Sequence, residues 1–178
     1  PSLMRDPIAL AQSYKPVIKN KFTPLVISLV PTQLQRLCAH PVGLHWLQSF
    51  DVIWVGGSGL SESLAETARK QKIRLAPCYG STETAAMVTV LDPNEFLEGN
   101  RSCGNPLEDV ELRLNKIGGV EIKTPRLASA RWKHGHLETV LNADGWWQSG
   151  DSAKLTMQSY LYQLEITGRL DNAIHSGG

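Results

Sequence analysis

Net charge is the first thing this 178-residue chain lacks: 18 Lys and Arg stand against 17 Asp and Glu, leaving +1 at pH 7. So even a balance gives no electrostatic footprint for a bulk polyanion, and nucleic acid is not an expected partner. Long apolar runs are missing too. No stretch approaches the ~20 residues that a bilayer span needs. The first residues show none of the basic, apolar and small-residue zones of a signal peptide. Cysteine is scarce and widely spaced: Cys38, Cys78 and Cys103 form no C-x-x-C pair and no Cys/His cluster. That argues against both a disulfide framework and a zinc site, and reduced thiols in a cytoplasmic setting are the expectation. The five histidines are scattered, and none has a carboxylate or cysteine at catalytic spacing. Internal repeats and low-complexity tracts are absent.

What is present is an ordinary apolar content of 42%, enough for one sizeable core or two small ones. Leu25–Val30 and Asp51–Val55 are short β-branched apolar runs, the pattern of buried strands. Pro31 suits the first turn of a helix through Leu34 and Leu37, and a second helix begins at Ser61 with Leu64, Ala65 and Ala68 at helical spacing. Its basic end, Arg69-Lys70-Gln71-Lys72, complements the negative pole of the helix dipole. Arg74–Cys78 reads as a third strand. Strand, helix, strand, helix, strand implies a parallel sheet with right-handed crossovers.

After about Pro93 the pattern changes. Residues 94–105 are polar and read as a connector. Three runs then alternate with period two: Val110–Leu114, Val120–Lys123 and Tyr160–Ile166. They predict antiparallel β structure in a small distorted barrel or sandwich. The expected organisation is α/β: residues 1–93 hold a parallel sheet with crossover helices, and 94–178 a small antiparallel β subdomain.

The richest segment is Ala76-Pro77-Cys78-Tyr79-Gly80-Ser81-Thr82-Glu83-Thr84, directly after the third strand. Tyr79 offers a flat face for a purine, and Gly80 lets the chain turn without a side-chain clash. Thr82 can donate to a phosphate oxygen, and Glu83 can hold a hard cation such as magnesium. Glu83 could equally be an acid at a helix start, favoured by the dipole. Strand ends of this kind are where open α/β sheets take ligands. Two later segments matter: Gln148-Ser149-Gly150-Asp151, behind Asp144-Gly145-Trp146-Trp147, and Gly168-Arg169-Leu170-Asp171 running on to Gly178. Asp151 could be a plain turn residue and Arg169 a solvated surface arginine, while Trp146 and Trp147 read as packing residues. Lys15, Lys19 and Lys21 form a basic patch with no assigned role.

Together the three segments resemble, in order, the Y-G-x-T-E, [ST]-G-D and G-R-x-D motifs of the adenylate-forming enzymes, the acyl-CoA synthetase and ligase superfamily. The resemblance implies that the chain is part of the large N-terminal domain of that fold. It implies ATP and CoA as co-substrates, Mg²⁺ as cofactor and a small-molecule carboxylate as partner. Residue by residue it gives Thr82 and Glu83 catalytic roles, with Glu83 at the metal, and makes Asp151 the acceptor for the ribose hydroxyls. Arg169 would reach the nucleotide and Asp171 would stand at an inter-domain hinge. Cys78, Tyr79, Gly80, Ser81 and Thr82 would border the nucleotide. Gly57, Ser58 and Gly59, in the glycine-rich turn after Val55, would correspond to a G-G-A element contacting adenine and acyl group, Ser58 replacing the alanine. Read without the resemblance, that turn is a glycine-rich βα connection.

The superfamily also uses a Ser/Thr/Gly-rich loop ending in P-K-G and a lysine-bearing C-terminal domain, and neither pattern occurs in these 178 residues. The expectation is therefore a piece of a larger enzyme, inactive by itself. Val30–Leu37, Gly56-Gly57 and Gly168–Asn172 with Ser176-Gly177-Gly178 resemble the branch of CoA ligases acting on o-succinylbenzoate. Another acyl- or aryl-CoA ligase, or a non-catalytic nucleotide-binding module, remains open. In the o-succinylbenzoate reading Ser81, Thr84, Ala85 and Ala86 line an acyl pocket with room for a ring, or else pack a helix.

Overall fold

The structure, a computed structural model, describes residues 6–13, 24–158 and 161–170. The chain contacts group it into two compact units, within the described residues 6–77 with 92–101, and 78–91 with 102–170. The sequence suggested one cut after residue 93; the contacts instead place Cys78–Leu91 with the later residues.

The first unit holds α1 (Pro7–Ser13), β1 (Val26–Leu29), α2 (Pro31–Cys38), α3 (Pro41–Leu47), β2 (Val52–Val55), α4 (Glu62–Lys70) and the start of β3 (Leu75–Gly80). Strands β1, β2 and β3 run parallel, with Leu29 opposite Val55 and Val55 opposite Pro77. This is the sheet that the apolar runs predict. Helix α2 starts where Pro31 is tolerated, at the first position, and the Val30 N–H donates to Gln33 Oε1 at 3.1 Å. Ser61 stands just outside α4 as its N-cap, accepting from the Leu64 N–H at 3.4 Å. The core is made by Leu34, Leu37, Leu47, Ile53, Ala68, Ile73 and Leu75, all without solvent exposure. Trp46 packs edge-on to Phe50 at 5.0 Å. The connector expected over 94–105 contains a short helix, α5 (Pro93–Leu97), capped by Asp92, whose Oδ1 accepts the Asn94 N–H at 2.7 Å. Arg69 does more than face a helix dipole: its Nε donates to the Phe96 carbonyl at 2.9 Å and its Nη2 to the Asn100 carbonyl at 3.0 Å.

In the second unit the end of β3 pairs antiparallel with β4 (Met87–Val90), and β4 with β5 (Asn105–Pro106). Four further strands follow: β6 (Glu111–Leu114), β7 (Gly119–Lys123), and, beyond the hairpin of β8 (Ala130–Lys133) and β9 (His136–Thr139), β10 (Trp147–Gln158) and β11 (Leu161–Arg169). They form an antiparallel sheet in the order β11-β10-β7-β6. The β5 end of the smaller sheet lies along β11, where the Cys103 N–H donates to the Leu164 carbonyl at 2.6 Å and the Leu164 N–H to the Gly104 carbonyl at 3.0 Å, so the strands wrap one core in the manner of the distorted barrel or sandwich predicted here. Val88, Val120, Ile122, Ala153 and Leu164 are the buried cluster of this unit, with Tyr79, Leu112, Trp147 and Ile166 packed against it. The segment around Ser149-Gly150-Asp151 is strand, not turn, and its irregularity is taken up by a register shift at Ser152/Ala153. Trp146 takes the Arg113 guanidinium over its ring at 4.0 Å, consistent with the packing role.

Candidate functional site

The geometry of the second unit starts from a cross-strand pair. Asp151 on β10 stands opposite Arg169 on β11, and opposite charges facing each other across a ladder attract. Arg169 Nη1 donates to Asp151 Oδ1 at 3.1 Å. The other carboxylate oxygen is taken by a residue from a different strand: Tyr79 Oη donates to Asp151 Oδ2 at 2.7 Å. The Asp151 N–H is itself held by Ser149 Oγ at 3.2 Å. Each carboxylate oxygen keeps a further lone pair. The aspartate is mostly shielded, with 15% of its side chain exposed, so these charge-assisted bonds act in a low-dielectric setting.

Tyr79 therefore has two tasks. Its ring packs against the apolar cluster while its hydroxyl fixes the aspartate. Burial pushes the phenol well above its ordinary value; the Ser149 hydroxyl pulls the other way, and the Asp151 carboxylate raises it further. The tyrosine stays a neutral donor. The sequence carried no sign of this bond, because the partners lie 72 residues apart.

Beyond Tyr79 the chain turns. Gly80 closes β3, and a Cβ there would collide with the Ala86 carbonyl and come within 2.7 Å of Met87 Cα. Close backbone approach, rather than an unusual φ, is what requires glycine. Residues 81–86 form a compact turn, and no helix follows. Both readings that placed Glu83 and Thr84 on a helix are corrected accordingly. Thr84 is fully buried; its Oγ1 accepts from the Ser81 N–H at 2.9 Å and lies 3.0 and 2.7 Å from the Ser81 and Ala86 carbonyls. That hydroxyl is a staple for the turn, not an open lining group. Ser81 Oγ is buried and has no hydrogen-bond partner among the described residues. Thr82 is exposed and Glu83 half-buried.

Among the described residues no hydrogen bond or ion pair engages the Glu83 carboxylate, although its backbone carbonyl accepts the Ala128 N–H at 2.8 Å. Magnesium takes few protein carboxylates and fills its shell with phosphate oxygens and water. A single uncommitted carboxylate beside the Thr82 hydroxyl fits that donor set. No group of three or more metal-ligating side chains occurs among the described residues, so these residues offer no all-protein cage.

Cys78, on β3, is half-buried, and burial lifts its thiol to about 11. It borders the motif as a weak nucleophile. Gly57, Ser58 and Gly59 lie in the first unit, in the turn after β2, where Gly57 adopts a left-handed φ of 84°. Asp171 and the residues that follow it to Gly178 lie outside the described residues, as do Lys15, Lys19 and Lys21.

A parallel βαβ layer feeding a Y-G-x-T-E turn, with an aspartate held by tyrosine and arginine, defines an α/β protein of the adenylate-forming fold. Residues 11–125 match the AMP-binding enzyme family, more than half of the chain, and the chain belongs to that family. It is similar to the 2-succinylbenzoate–CoA ligase of Oceanobacillus iheyensis, 26% identical over 185 residues that cover 100% of this chain and 38% of the relative. The Escherichia coli enzyme of the same name is 32% identical over 151 residues, covering 85% and 31% respectively. The chain spans about a third of the length of the curated relatives it matches. Among solved structures, wild-type E. coli MenE with a bound m phenylether-linked analogue of OSB-AMS superposes with TM-score 0.65 and 31% identity, over 83% of this chain and 30% of that one. A mutant of the amide bond synthetase Mcba from Marinactinospora thermotolerans gives TM-score 0.70 and 25% identity, over 96% and 36%. No helix among the described residues is long and apolar enough to cross a membrane.

Proposed function

We propose that the protein carrying this chain is an ATP-dependent acid–CoA ligase whose acid is 2-succinylbenzoate, as in menaquinone biosynthesis. The observation that carries the reading is the Tyr79–Asp151–Arg169 arrangement beside the Thr82–Glu83 turn. An acceptor-only carboxylate, pinned on both oxygens yet keeping lone pairs, suits the vicinal hydroxyls of a ribose. The choice of acid rests on the names of the relatives, which are 2-succinylbenzoate–CoA ligases.

The reaction has two displacements. A carboxylate oxygen of the acid attacks the ATP α-phosphorus and pyrophosphate leaves with the electron pair of the broken P–O bond. The CoA thiolate then attacks the acyl carbonyl and AMP leaves. In this reading Asp151 receives the ribose, and Arg169 orients it by its hydrogen bond and reaches the nucleotide. The Tyr79 ring flanks the purine while its hydroxyl fixes Asp151. Thr82 donates to a phosphate oxygen, and Glu83 holds magnesium, which when bound neutralises charge on the phosphates. Cys78, Gly80 and Ser81 shape the wall beside the nucleotide, and Gly57, Ser58 and Gly59 offer backbone groups to adenine and acyl group. A second acceptor is raised by one neighbour: Mcba is an amide bond synthetase, so an amine in place of CoA is the alternative for the second displacement.

The test is an acid panel on the purified protein carrying this chain, first in ATP–pyrophosphate exchange and then in acyl transfer to CoA or to amines. Exchange driven best by 2-succinylbenzoate, with transfer to CoA, is expected. A medium-chain fatty acid or acetate with the higher specificity constant would overturn the substrate, amide formation would overturn the acceptor, and no exchange with any acid would overturn catalysis in favour of a nucleotide-binding module.

A further inference from the structure

The turn that carries Thr82 and Glu83 contains an unfavourable residue. Ala85 sits at a φ of 62°, in the left-handed region, where a Cβ crowds the following carbonyl. A non-glycine residue keeps such a conformation only when its surroundings over-determine it. Part of that comes from Thr84 inside the turn. The rest comes from outside the turn, from one side chain and one backbone N–H.

Arg126 follows β7, in the loop before β8. Its Nη1 donates to the Thr84 carbonyl at 3.2 Å and to the Met87 carbonyl at 3.3 Å. Its Nη2 donates to the same Met87 carbonyl at 3.3 Å and to Asp109 Oδ1 at 3.2 Å, and its Nε to Asp109 Oδ2 at 2.7 Å. The two carbonyls flank the left-handed Ala85. Asp109 holds the guanidinium from its other side and is itself fixed by the Thr124 hydroxyl at 2.9 Å. Two residues on, the Ala128 N–H takes the Glu83 carbonyl. Two successive carbonyls, those of Glu83 and Thr84, are thus tied to one segment, while the Glu83 carboxylate is left without a hydrogen-bond or ion-pair partner among the described residues. Only a guanidinium has the planar fork of donors for this; an ammonium can satisfy one acceptor or another as a point charge, but not both edges.

We propose that Arg126 is a positioning residue: anchored by Asp109, it clasps the carbonyls on either side of Ala85 and so presets the Thr82–Glu83 backbone that offers its side chains to the magnesium-bound phosphates. This rests on the ligase reading for the role of Glu83, but the clasp is testable without it. The variants are Arg126→Gln, which loses the fork, Arg126→Lys, which keeps the charge, and Asp109→Asn, which removes the ionic anchor, all in the protein carrying this chain.

Two readouts are needed. Amide hydrogen exchange over residues 81–87 should accelerate by about tenfold or more in Arg126→Gln, with exchange over β10 and β11 unchanged. Adenylation kcat should fall by about tenfold to a hundredfold, the scale of a slightly misplaced group, and the magnesium concentration for half-maximal rate should rise. Thioester formation from supplied acyl-adenylate should stay within about threefold of the parent. Arg126→Lys should recover only part of the adenylation loss, and Asp109→Asn should fall between it and the parent. Unchanged exchange over residues 81–87 in Arg126→Gln overturns the clasp whatever the activity. Faster exchange with unchanged adenylation and magnesium dependence overturns its role in presetting Glu83. Should Arg126→Gln fail to fold, Asp109→Asn decides by the same two measurements. A parent protein without adenylation sinks the ligase reading instead, and the exchange data still judge the clasp.

Discussion

Tyr79→Phe removes one oxygen and should reveal how much the aspartate depends on it. The lost bond is a 2.7 Å hydrogen bond to a carboxylate that is largely shielded from solvent. Hydrogen bonds to charged groups contribute about 1.5–3 kcal/mol. Here the lower part of that range applies, because Arg169 still holds the other oxygen and a water can enter where the hydroxyl was. A loss of about 1–2 kcal/mol follows, or a Tm lower by about 2–8 °C for a chain of this size. The phenyl ring still fills its space against the buried cluster, so no cavity term adds to it. The assay is urea denaturation of parent, Tyr79→Phe, Asp151→Asn and the double variant. Coupling between the two positions should exceed about 0.5 kcal/mol, the threshold at which contacting residues depart from additivity. Additive losses would show that the hydroxyl and the carboxylate do not act on each other, and the reading of Tyr79 as the anchor of Asp151 would fall. In the same protein the KM for ATP should rise more than kcat falls, since the aspartate is proposed to bind the ribose rather than to touch the reacting phosphorus.

Glu83→Gln keeps shape and hydrogen bonding but loses the charge proposed to hold magnesium, so adenylation should drop by roughly two orders of magnitude; unchanged kinetics would remove Glu83 from the mechanism. Cys78 and Cys103, both lifted to about 11 by burial, should be alkylated at pH 8 at least about tenfold more slowly in the folded protein than in urea, after allowing for the greater nucleophilicity of a high-pKa thiolate. Equal rates in the two states would contradict their shielding. The Asp109 carboxyl is held below its ordinary value by hydrogen bonds from Arg126 and then Thr124. Its contribution is therefore complete above the unfolded carboxylate value of about 3.9 and lost as pH falls through the lower folded value. The stability gap between parent and Asp109→Asn should hold at neutral pH and narrow below about pH 4; a gap that widened in acid would refute the pairing.

The sequence made the parallel layer legible because its strands are short, β-branched and cut off by Pro31, Gly56 and Gly80, and because Ser61 marks a helix start. It hid α3, whose Pro41-Val42-Gly43-Leu44-His45-Trp46-Leu47 includes weak helix formers. That helix is carried by burial of Trp46 and Leu47 and by the His40 imidazole, whose Nδ1 accepts the Val42 N–H at 3.2 Å. Helix α5 did leave a signal, Asp92-Pro93, a cap followed by a proline at the first position, inside a stretch that looked merely polar. Strand β4 was masked by the expectation of a helix after Glu83. Ser149-Gly150-Asp151 looked like a turn because Gly and Asp are turn residues. It is strand because β7 and β11 flank it on both sides and the irregularity is absorbed locally.

The site was legible as a set of residue types, not as an assembly. A motif names the side chains that can meet a nucleotide; it does not say which of them the protein has already used. Within the second unit the segment from Tyr79 to Thr84 is fixed at both ends. Tyr79 is bound to Asp151, the Thr84 hydroxyl is consumed by its own turn, and the Glu83 and Thr84 carbonyls are taken by Ala128 and Arg126. What remains uncommitted among the described residues is the Ser81 hydroxyl and the Glu83 carboxylate, with Thr82 exposed beside them. A group whose backbone is tied and whose side chain is not needs little reorganisation to meet a ligand. That separation between fixed frame and free donors depends on contacts 42 to 72 residues apart in sequence, a range that no local pattern of five residues can encode.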